Sequence, residues 1–190
     1  ITAQQPELVV PAGHSNSFGN IYFSPDGSKV ATTAFKSKMV AIWDVKAGKL
    51  LASFNDTLAF WGFRNIQFSP DGSKLLTTGG ENMLWDIEKK QFIGYFDGQA
   101  ESEEDSESDN SFGHIFTPDG NAIAFCSDSL VIFTVPGSNK IIRTLNNRYP
   151  VLSFSISCNG DYLLCNTTKE TLLWNISSGD IIQQFEKGKN

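Results

Sequence analysis

The chain has 190 residues, of which 40% are hydrophobic and 12% aromatic, and its formal net charge is −6 at pH 7. That hydrophobic share is enough for a substantial core, which argues against intrinsic disorder. The 15 Lys and Arg residues are scattered and no long apolar run is present, so we expect no nucleic acid and no membrane among the partners.

The elements predicted along the chain begin with a short apolar strand at residues 7–10. Sixteen further strands follow, each marked by a short apolar or alternating run between turn residues. They fall into four groups of four, at residues 18–54, 63–96, 111–145 and 151–185. No stretch shows the 3.6-residue period of an amphipathic helix.

The four groups share a turn between their first and second strands. Each copy has Ser or Thr first, Asp or Asn third and Gly last, which suits a tight hairpin because Gly accepts a positive φ. The copies are Ser24-Pro25-Asp26-Gly27, Ser69-Pro70-Asp71-Gly72, Thr117-Pro118-Asp119-Gly120 and Ser157-Cys158-Asn159-Gly160. A strand-bearing repeat of about 40 to 45 residues is typical of a β-propeller blade. The predicted fold class is therefore all-β, a β-propeller of four-stranded antiparallel blades, with about four blades in this chain.

An acidic, serine-rich loop at residues 97–110 connects the second and third blades. It has almost no apolar residue, so we expect it to be solvated and without regular structure. Two functional hypotheses apply to it: a contact for a basic partner, and phosphorylation by acid-directed kinases at Ser102, Ser106 or Ser108. The alternative is a tolerated loop insertion.

Each blade also closes its third strand with an aromatic residue: Trp43, Trp85, Phe133 or Trp174. Trp43-Asp44 and Trp85-Asp86, together with Gly13-His14 and Phe23-Ser24-Pro25-Asp26-Gly27, resemble the WD-repeat family over about residues 7 to 185. A related propeller of periplasmic proteins shares the turn but lacks the Trp-Asp ending. The two Trp-Asp pairs favour the WD-repeat family.

The resemblance implies a buried hydrogen-bonded tetrad in each blade: a His before the first strand, a Ser or Thr on the second, an Asp in the next turn, and the Trp. The tetrad-like residues are His14, Thr32 and Trp43 in the first blade, Thr77 and Trp85 in the second, and Trp174 in the fourth. The fourth blade has Cys165 in the hydroxyl position, and the third has Phe125 and Phe133 in place of both partners. No blade is complete, so we expect these blades to rely on apolar packing.

The remaining reactive side chains favour structural roles. His114 follows a Gly but lies too close to Pro118 to match the family motif, so we expect a hydrogen-bonded core histidine. Cys126, Cys158 and Cys165 are too few and too irregularly spaced for a disulfide framework or a zinc site, and buried small side chains are the simpler expectation. We find no nucleophile paired with a base and no phosphate loop, and we expect no catalytic residue, cofactor or metal.

Partner binding is the function that the resemblance implies, because WD-repeat propellers carry partners on the rim formed by the loops between blades. The candidate partner-binding residues on that rim are Phe60, Trp61, Arg64, Arg148 and Tyr149. Trp, Tyr and Arg dominate interface hot spots, although the same residues could simply pack within their own loops. The expected function is a non-catalytic protein- or peptide-binding scaffold. A regulatory or recruiting part of a larger multidomain enzyme, such as a protease or kinase fusion, and a sugar- or small-ligand-binding propeller are the alternatives.

The strand at residues 7–10 has no vacant position if every blade already has four strands. Three arrangements stay open: part of a larger propeller, a compact four-bladed ring with a surplus strand, or two chains that complete a ring by self-association. We expect a cytoplasmic location, with a secreted or periplasmic one left open by the sequons at Asn55, Asn166 and Asn175.

Overall fold

The computed structural model describes residues 18–34, 39–55, 63, 65–78, 82–95, 113–138 and 140–186. Across these ranges it contains sixteen β-strands and no helix. The strands are β1 (Phe18–Phe23), β2 (Lys29–Ala34), β3 (Met39–Asp44), β4 (Leu50–Asn55), β5 (Asn65–Phe68), β6 (Lys74–Thr78), β7 (Met83–Asp86), β8 (Gln91–Tyr95), β9 (Ile115–Phe116), β10 (Ile123–Ser127), β11 (Leu130–Thr134), β12 (Ile141–Asn146), β13 (Val151–Ile156), β14 (Tyr162–Thr167), β15 (Glu170–Asn175) and β16 (Ile181–Glu186).

The strands form four antiparallel sheets, each with four strands in sequence order: β1–β4, β5–β8, β9–β12 and β13–β16. This meander follows from the short turns, since antiparallel neighbours can be joined by a few residues. The predicted all-β class and the four groups of four strands are confirmed. The strand predicted at residues 7–10 and the acidic loop at residues 97–110 lie outside the described residues.

The four recurring turns have one common geometry. In each, the Gly N–H donates to the carbonyl of the first turn residue at 2.8 Å, and the Gly has a φ between 67° and 79°. The hydroxyl of the first residue donates to the Asp or Asn side chain two positions on, at 2.5 to 2.6 Å. That hydroxyl also accepts the backbone N–H five residues on, at 2.9 Å. The third position of the turn therefore requires Asp or Asn, whose side-chain oxygen accepts this hydrogen bond.

One strand is shorter than predicted. The first strand of the third group was expected over residues 111–117, but β9 pairs with β10 only at Ile115↔Ala124 and Phe116↔Ile123. Before it, the ring of His114 stacks on Phe125, with centroids 5.0 Å apart and planes at 22°. Side-chain packing replaces ladder pairing at this end of the strand.

The chain divides into two compact units, Ile1–Ile93 and Gly94–Asn190. In the first unit, the inner face of β1–β4 packs against β5–β8 through a cluster that includes Val40, Ile42, Ile66 and Leu75. Phe54 of β4 stacks on Trp85 of β7 at 4.8 Å between ring centroids. The core of this unit thus lies between its two sheets.

The second unit repeats the arrangement with β9–β12 and β13–β16. Its cluster includes Val131, Leu145, Leu163 and Leu172, together with buried Cys126 and Cys165. The guanidinium of Arg143 on β12 adds a polar link, because its Nη2 donates to the carbonyl of Ser177 at 2.8 Å. All three cysteines are free, but Cys158 is exposed in its turn, so the expectation of burial is wrong for that residue. The turn faces solvent, and a side chain at its second position has no core to enter.

Candidate functional site

Three tryptophans hold their blades through the indole N–H. Trp43 Nε1 donates to Thr32 Oγ1 at 2.9 Å, and Trp85 Nε1 donates to Thr77 Oγ1 at 3.1 Å. These two pairs are the tetrad-like pairs expected from the sequence. Trp174 differs, because its Nε1 donates to the side-chain oxygen of Asn147, at 3.1 Å. Cys165 does lie at the register position of Thr77, since each pairs with the residue two before its tryptophan. The Trp174 N–H bonds to Asn147 instead because a thiol is a poor acceptor and an amide oxygen is available.

Asn147 lies between β12 and β13 and joins the two sheets of the second unit. It is 2% exposed. Its Nδ2 donates to the carbonyl of Ser129 at 3.0 Å, and its backbone N–H donates to the same carbonyl at 2.8 Å. With the bond from Trp174, this one amide links the β10–β11 turn to the face of β15.

The backbone after Asn147 is held at two more points before the next sheet begins. Val151 N–H donates to the carbonyl of Asp128 at 2.8 Å, and Thr168 N–H donates to the carbonyl of Pro150 at 3.0 Å. The segment between Asn147 and Val151 carries Arg148 and Tyr149, and the Arg148 guanidinium lies 5.6 Å from the centroid of the Tyr149 ring. Two of the five predicted rim residues are therefore adjacent on a backbone that the neighbouring turns fix.

A cleft of about 240 Å³ opens beside this segment. Its lining comes from the end of β12, the β12–β13 connection, and the strands β15 and β16: Asn146, Asn147, Arg148, Glu170, Leu172, Ile181 and Gln184. Side chains at Glu170, Leu172 and Trp174 alternate onto one face of β15, the face that packs on the third sheet. The cleft is thus the open end of that packed interface.

Glu170 is the buried charged residue of the cleft, at 7% exposure. One carboxylate oxygen accepts a hydrogen bond from Gln184 Nε2 at 2.5 Å. The backbone of Glu170 is fixed by Thr167, whose Oγ1 accepts the Glu170 N–H at 3.1 Å and donates to its carbonyl at 2.8 Å. The carboxylate is therefore held at a defined position on the wall of the cleft.

The structure brings together only part of the predicted site. Arg148 lines the cleft, and Tyr149 is the next residue, in contact with the Arg148 guanidinium. The other predicted residues lie outside the described residues: Phe60, Trp61, Arg64, His14, Ser102, Ser106 and Ser108. Asn147, Glu170 and Gln184 were missed. A signal existed for Asn147, because it precedes Val151 by the same four residues that separate His14 from Phe18. The sequence around Glu170 and Gln184 contains no comparable signal.

His114 is buried as expected, at 5% exposure, but it is not hydrogen bonded at Nε2 within the described structure. The expectation of a hydrogen-bonded core histidine is therefore wrong at Nε2. The ring stacks on Phe125. Burial lowers the pKa of His114 to about 4. Burial also raises the pKa of the Cys126 thiol to about 11 and that of Cys165 to about 12. These groups are therefore neutral near pH 7.

The described ranges contain neither a metal-binding cluster nor a membrane-spanning helix. No group of three or more His, Cys, Asp and Glu side chains lies together there in a way that could hold a metal ion. In the same part of the chain, no helix has the length and hydropathy needed to cross a bilayer.

Comparison with known proteins places the chain among propellers. Residues 6–44 match the family model for the WD domain, G-beta repeat. The fold is similar to that of a chain of hydrazine synthase from Kuenenia stuttgartiensis, with a TM-score of 0.66 and 18% sequence identity, over 98% of this chain and 53% of that one. This chain thus spans about half the length of that solved chain. No curated protein sequence matches.

These findings confirm the resemblance to the WD-repeat family and the β-propeller fold with four four-stranded blades. At 18% identity, the likeness to the solved chain shows the fold alone, and 1300 solved chains match. A fold that is so widely used carries no specific activity with it. Function has to be inferred from the site.

Proposed function

From the WD repeat at residues 6–44 and the geometry of the cleft, we propose that this chain is a non-catalytic scaffold that binds a protein or peptide partner at the β12–β13 connection. WD repeats generally mediate protein interactions. The finer assignment, to Arg148, Tyr149 and the cleft beside them, rests on this chain's own residues. We propose a cytoplasmic setting for it, as the sequence predicts.

The observation that carries the proposal is the fixed pairing of Arg148 with Tyr149 next to a cleft. Arg and Tyr are enriched among hot-spot residues, and a stacked pair loses little side-chain freedom on binding. The three backbone hydrogen bonds from Asn147, Val151 and Thr168 hold the segment before any partner arrives. A pre-organised aromatic and cationic pair suits a recognition surface.

The state of the buried reactive groups supports a role without catalysis. A nucleophilic cysteine needs a lowered pKa, whereas burial raises the pKa of both Cys126 and Cys165. A general acid or base needs a pKa near the working pH and access to substrate, and His114 has a pKa of about 4 and is buried beneath Phe125.

The test is a quantitative affinity capture from lysate with three forms of the chain: wild type, the double variant Arg148→Ala with Tyr149→Ala, and the control Lys46→Ala. Lys46 is an exposed residue of the β3–β4 turn, far along the sequence from the cleft. We expect the double variant to lose at least about tenfold in capture of specific partners, since each hot-spot truncation costs about 1 to 2 kcal/mol.

The control should capture the same partners as wild type, and circular dichroism should show all three forms folded. Equal capture by the double variant and wild type would remove the β12–β13 connection from consideration as the contact region.

A further inference from the structure

We propose that the cleft beside β15 and β16 receives the side chain of a lysine or arginine residue from the partner, with the Glu170 carboxylate as its ionic contact. This inference rests on the proposed function and names the chemistry of the partner at that same site.

Glu170 is 7% exposed as a residue, and the hydrogen bond to its carboxylate comes from a neutral amide, that of Gln184. Among the described residues the ion pair observed is Lys89 with Asp86, in another sheet, so no described cation compensates Glu170. A carboxylate on the wall of a cleft with no described cation beside it can form an ion pair with a partner cation that enters the cleft.

A second carboxylate lies close to Glu170. Glu186 lies directly opposite Glu170 in the β15–β16 register, so both side chains project from the same face of the sheet. Arg148 is the one described cation in the lining, and its guanidinium lies over the Tyr149 ring instead of pairing with Glu170. Two carboxylates on one face favour a cationic ligand over an anionic one.

The size and polarity of the cleft also suit a basic side chain. About 240 Å³ is below the range of roughly 300 to 1,000 Å³ that holds drug-sized ligands, so the cleft fits a single side chain better than a cofactor. Leu172 and Ile181 supply apolar surface for the methylene stem of a Lys or Arg, and the carboxylate meets its charged head. Asn146 and Gln184 add amide groups beside that head.

The experiment is a selection of phage-displayed heptapeptides on the full chain, followed by titration of the enriched peptides, as synthetic peptides, against variants. Glu170→Gln keeps the shape of the side chain and an oxygen that can accept the hydrogen bond from Gln184, but it removes the charge. Glu186→Gln removes the charge of the exposed glutamate opposite Glu170 and leaves the core unchanged. Glu88→Gln is the matched control, an exposed glutamate in the β7–β8 turn. Thermal unfolding of each variant verifies the fold.

We expect the enriched peptides to share a Lys or Arg, and replacing that residue by norleucine should abolish binding. Glu170→Gln should weaken binding by at least about tenfold, Glu186→Gln by about two- to threefold, and Glu88→Gln not at all. Enriched peptides that lack a basic position, or that bind Glu170→Gln as well as wild type, would overturn this inference.

In that last case the proposed function would still stand if the same peptides lost affinity for the Arg148→Ala, Tyr149→Ala double variant. If the selection enriches no peptide at all, the inference is overturned, and the result also counts against peptide binding as the function.

Discussion

Asn147 shows how much one side chain decides in this fold. It accepts the indole N–H of Trp174 and donates to the Ser129 carbonyl, so it bonds to both sheets of the second unit. Its position in the repeat is that of His14, four residues before the first strand. An amide can therefore take the place of the family's imidazole, because the position needs one acceptor and one donor rather than a particular ring.

Truncation of Asn147 should be costly. Asn147→Ala leaves the buried Trp174 N–H without an acceptor, so we expect a loss of about 2 to 3 kcal/mol in the free energy of unfolding, measured by urea denaturation. Asn147→His should retain more stability than Asn147→Ala, because it keeps a ring nitrogen near the indole. Equal losses for the two variants would contradict the equivalence with His14.

His114 should make stability depend on pH. The pKa of His114 is about 4 in the folded state, below the usual 6.5. Between these two values the imidazole is protonated in the unfolded state and neutral in the folded state. The stability contribution is complete above pH 6.5 and falls as the pH is lowered towards 4, by up to about 3 kcal/mol.

We expect His114→Phe to keep the packing on Phe125 and to flatten the fall in unfolding free energy between pH 7 and 4.5, measured by urea denaturation at both values. An unchanged fall in the variant would show that other groups dominate this pH range.

At the scale of the element, the hairpin turns are the repeated unit, and three of them depend on a carboxylate. Hydrogen bonds from Ser24 and Ser28 hold the pKa of Asp26 far below its usual 3.8, and bonds from Ser69 and Ser73 lower the pKa of Asp71 to about 2. The hydroxyl of Thr117 likewise lowers the pKa of Asp119. The fourth turn has Asn159 in place of the carboxylate at the third position, and the Ser157 hydroxyl donates to it in the same way.

These turns should respond to acid. Because the folded pKa values lie below the unfolded value of 3.8, the stabilisation is complete above about pH 4 and is lost as the pH falls towards 2. We expect the triple variant Asp26→Asn, Asp71→Asn and Asp119→Asn, which places the Asn of the fourth turn in the other three, to start less stable at pH 7 but to lose less between pH 4 and 2. Urea denaturation at the three pH values measures this, and parallel curves would contradict it.

At the scale of the whole molecule, the first and fourth sheets each carry exposed apolar side chains among the described residues. Ile21 and Phe23 are 58% and 65% exposed, and Leu164 and Phe185 are 45% and 46% exposed. Phe185 occupies the repeat position of buried Phe54, since each pairs with the residue three before its tryptophan. The fourth sheet thus presents the kind of face that the first sheet uses to pack against the second.

We expect self-association of the chain through these side chains, with a second copy as the occupant, because exposed apolar surface marks an interface when it is extensive. Light scattering across a concentration series should give a mass above the 20.9 kDa of the monomer. Phe185→Glu should restore the monomer mass, while Lys46→Glu, at an exposed turn, should not. A constant monomer mass for wild type would contradict the prediction.

The strands of this chain are more predictable from the sequence than the residues of the candidate site. Sequence reasoning predicted the strands within one or two residues in most cases, Leu130–Thr134 of β11 among them, and it placed Thr32 with Trp43 and Thr77 with Trp85. It overestimated β9, where His114 packs on Phe125 instead of extending the ladder. At the candidate site it predicted Arg148 and Tyr149 by residue type, which stay predictions, and it missed Asn147 and Glu170.

The amino-acid sequence by itself determined the strands, the hairpins and the repeat, because these depend on local rules: proline presets φ, glycine accepts a positive φ, and apolar residues recur within a few positions. Only the tertiary structure decided the acceptor of Trp174 and the lining of the cleft. Asn147 and Trp174 are 27 residues apart, and Glu170 is 14 residues from Gln184. Contacts of this kind depend on the register of two strands and on the packing of one sheet against another, and no local pattern encodes either.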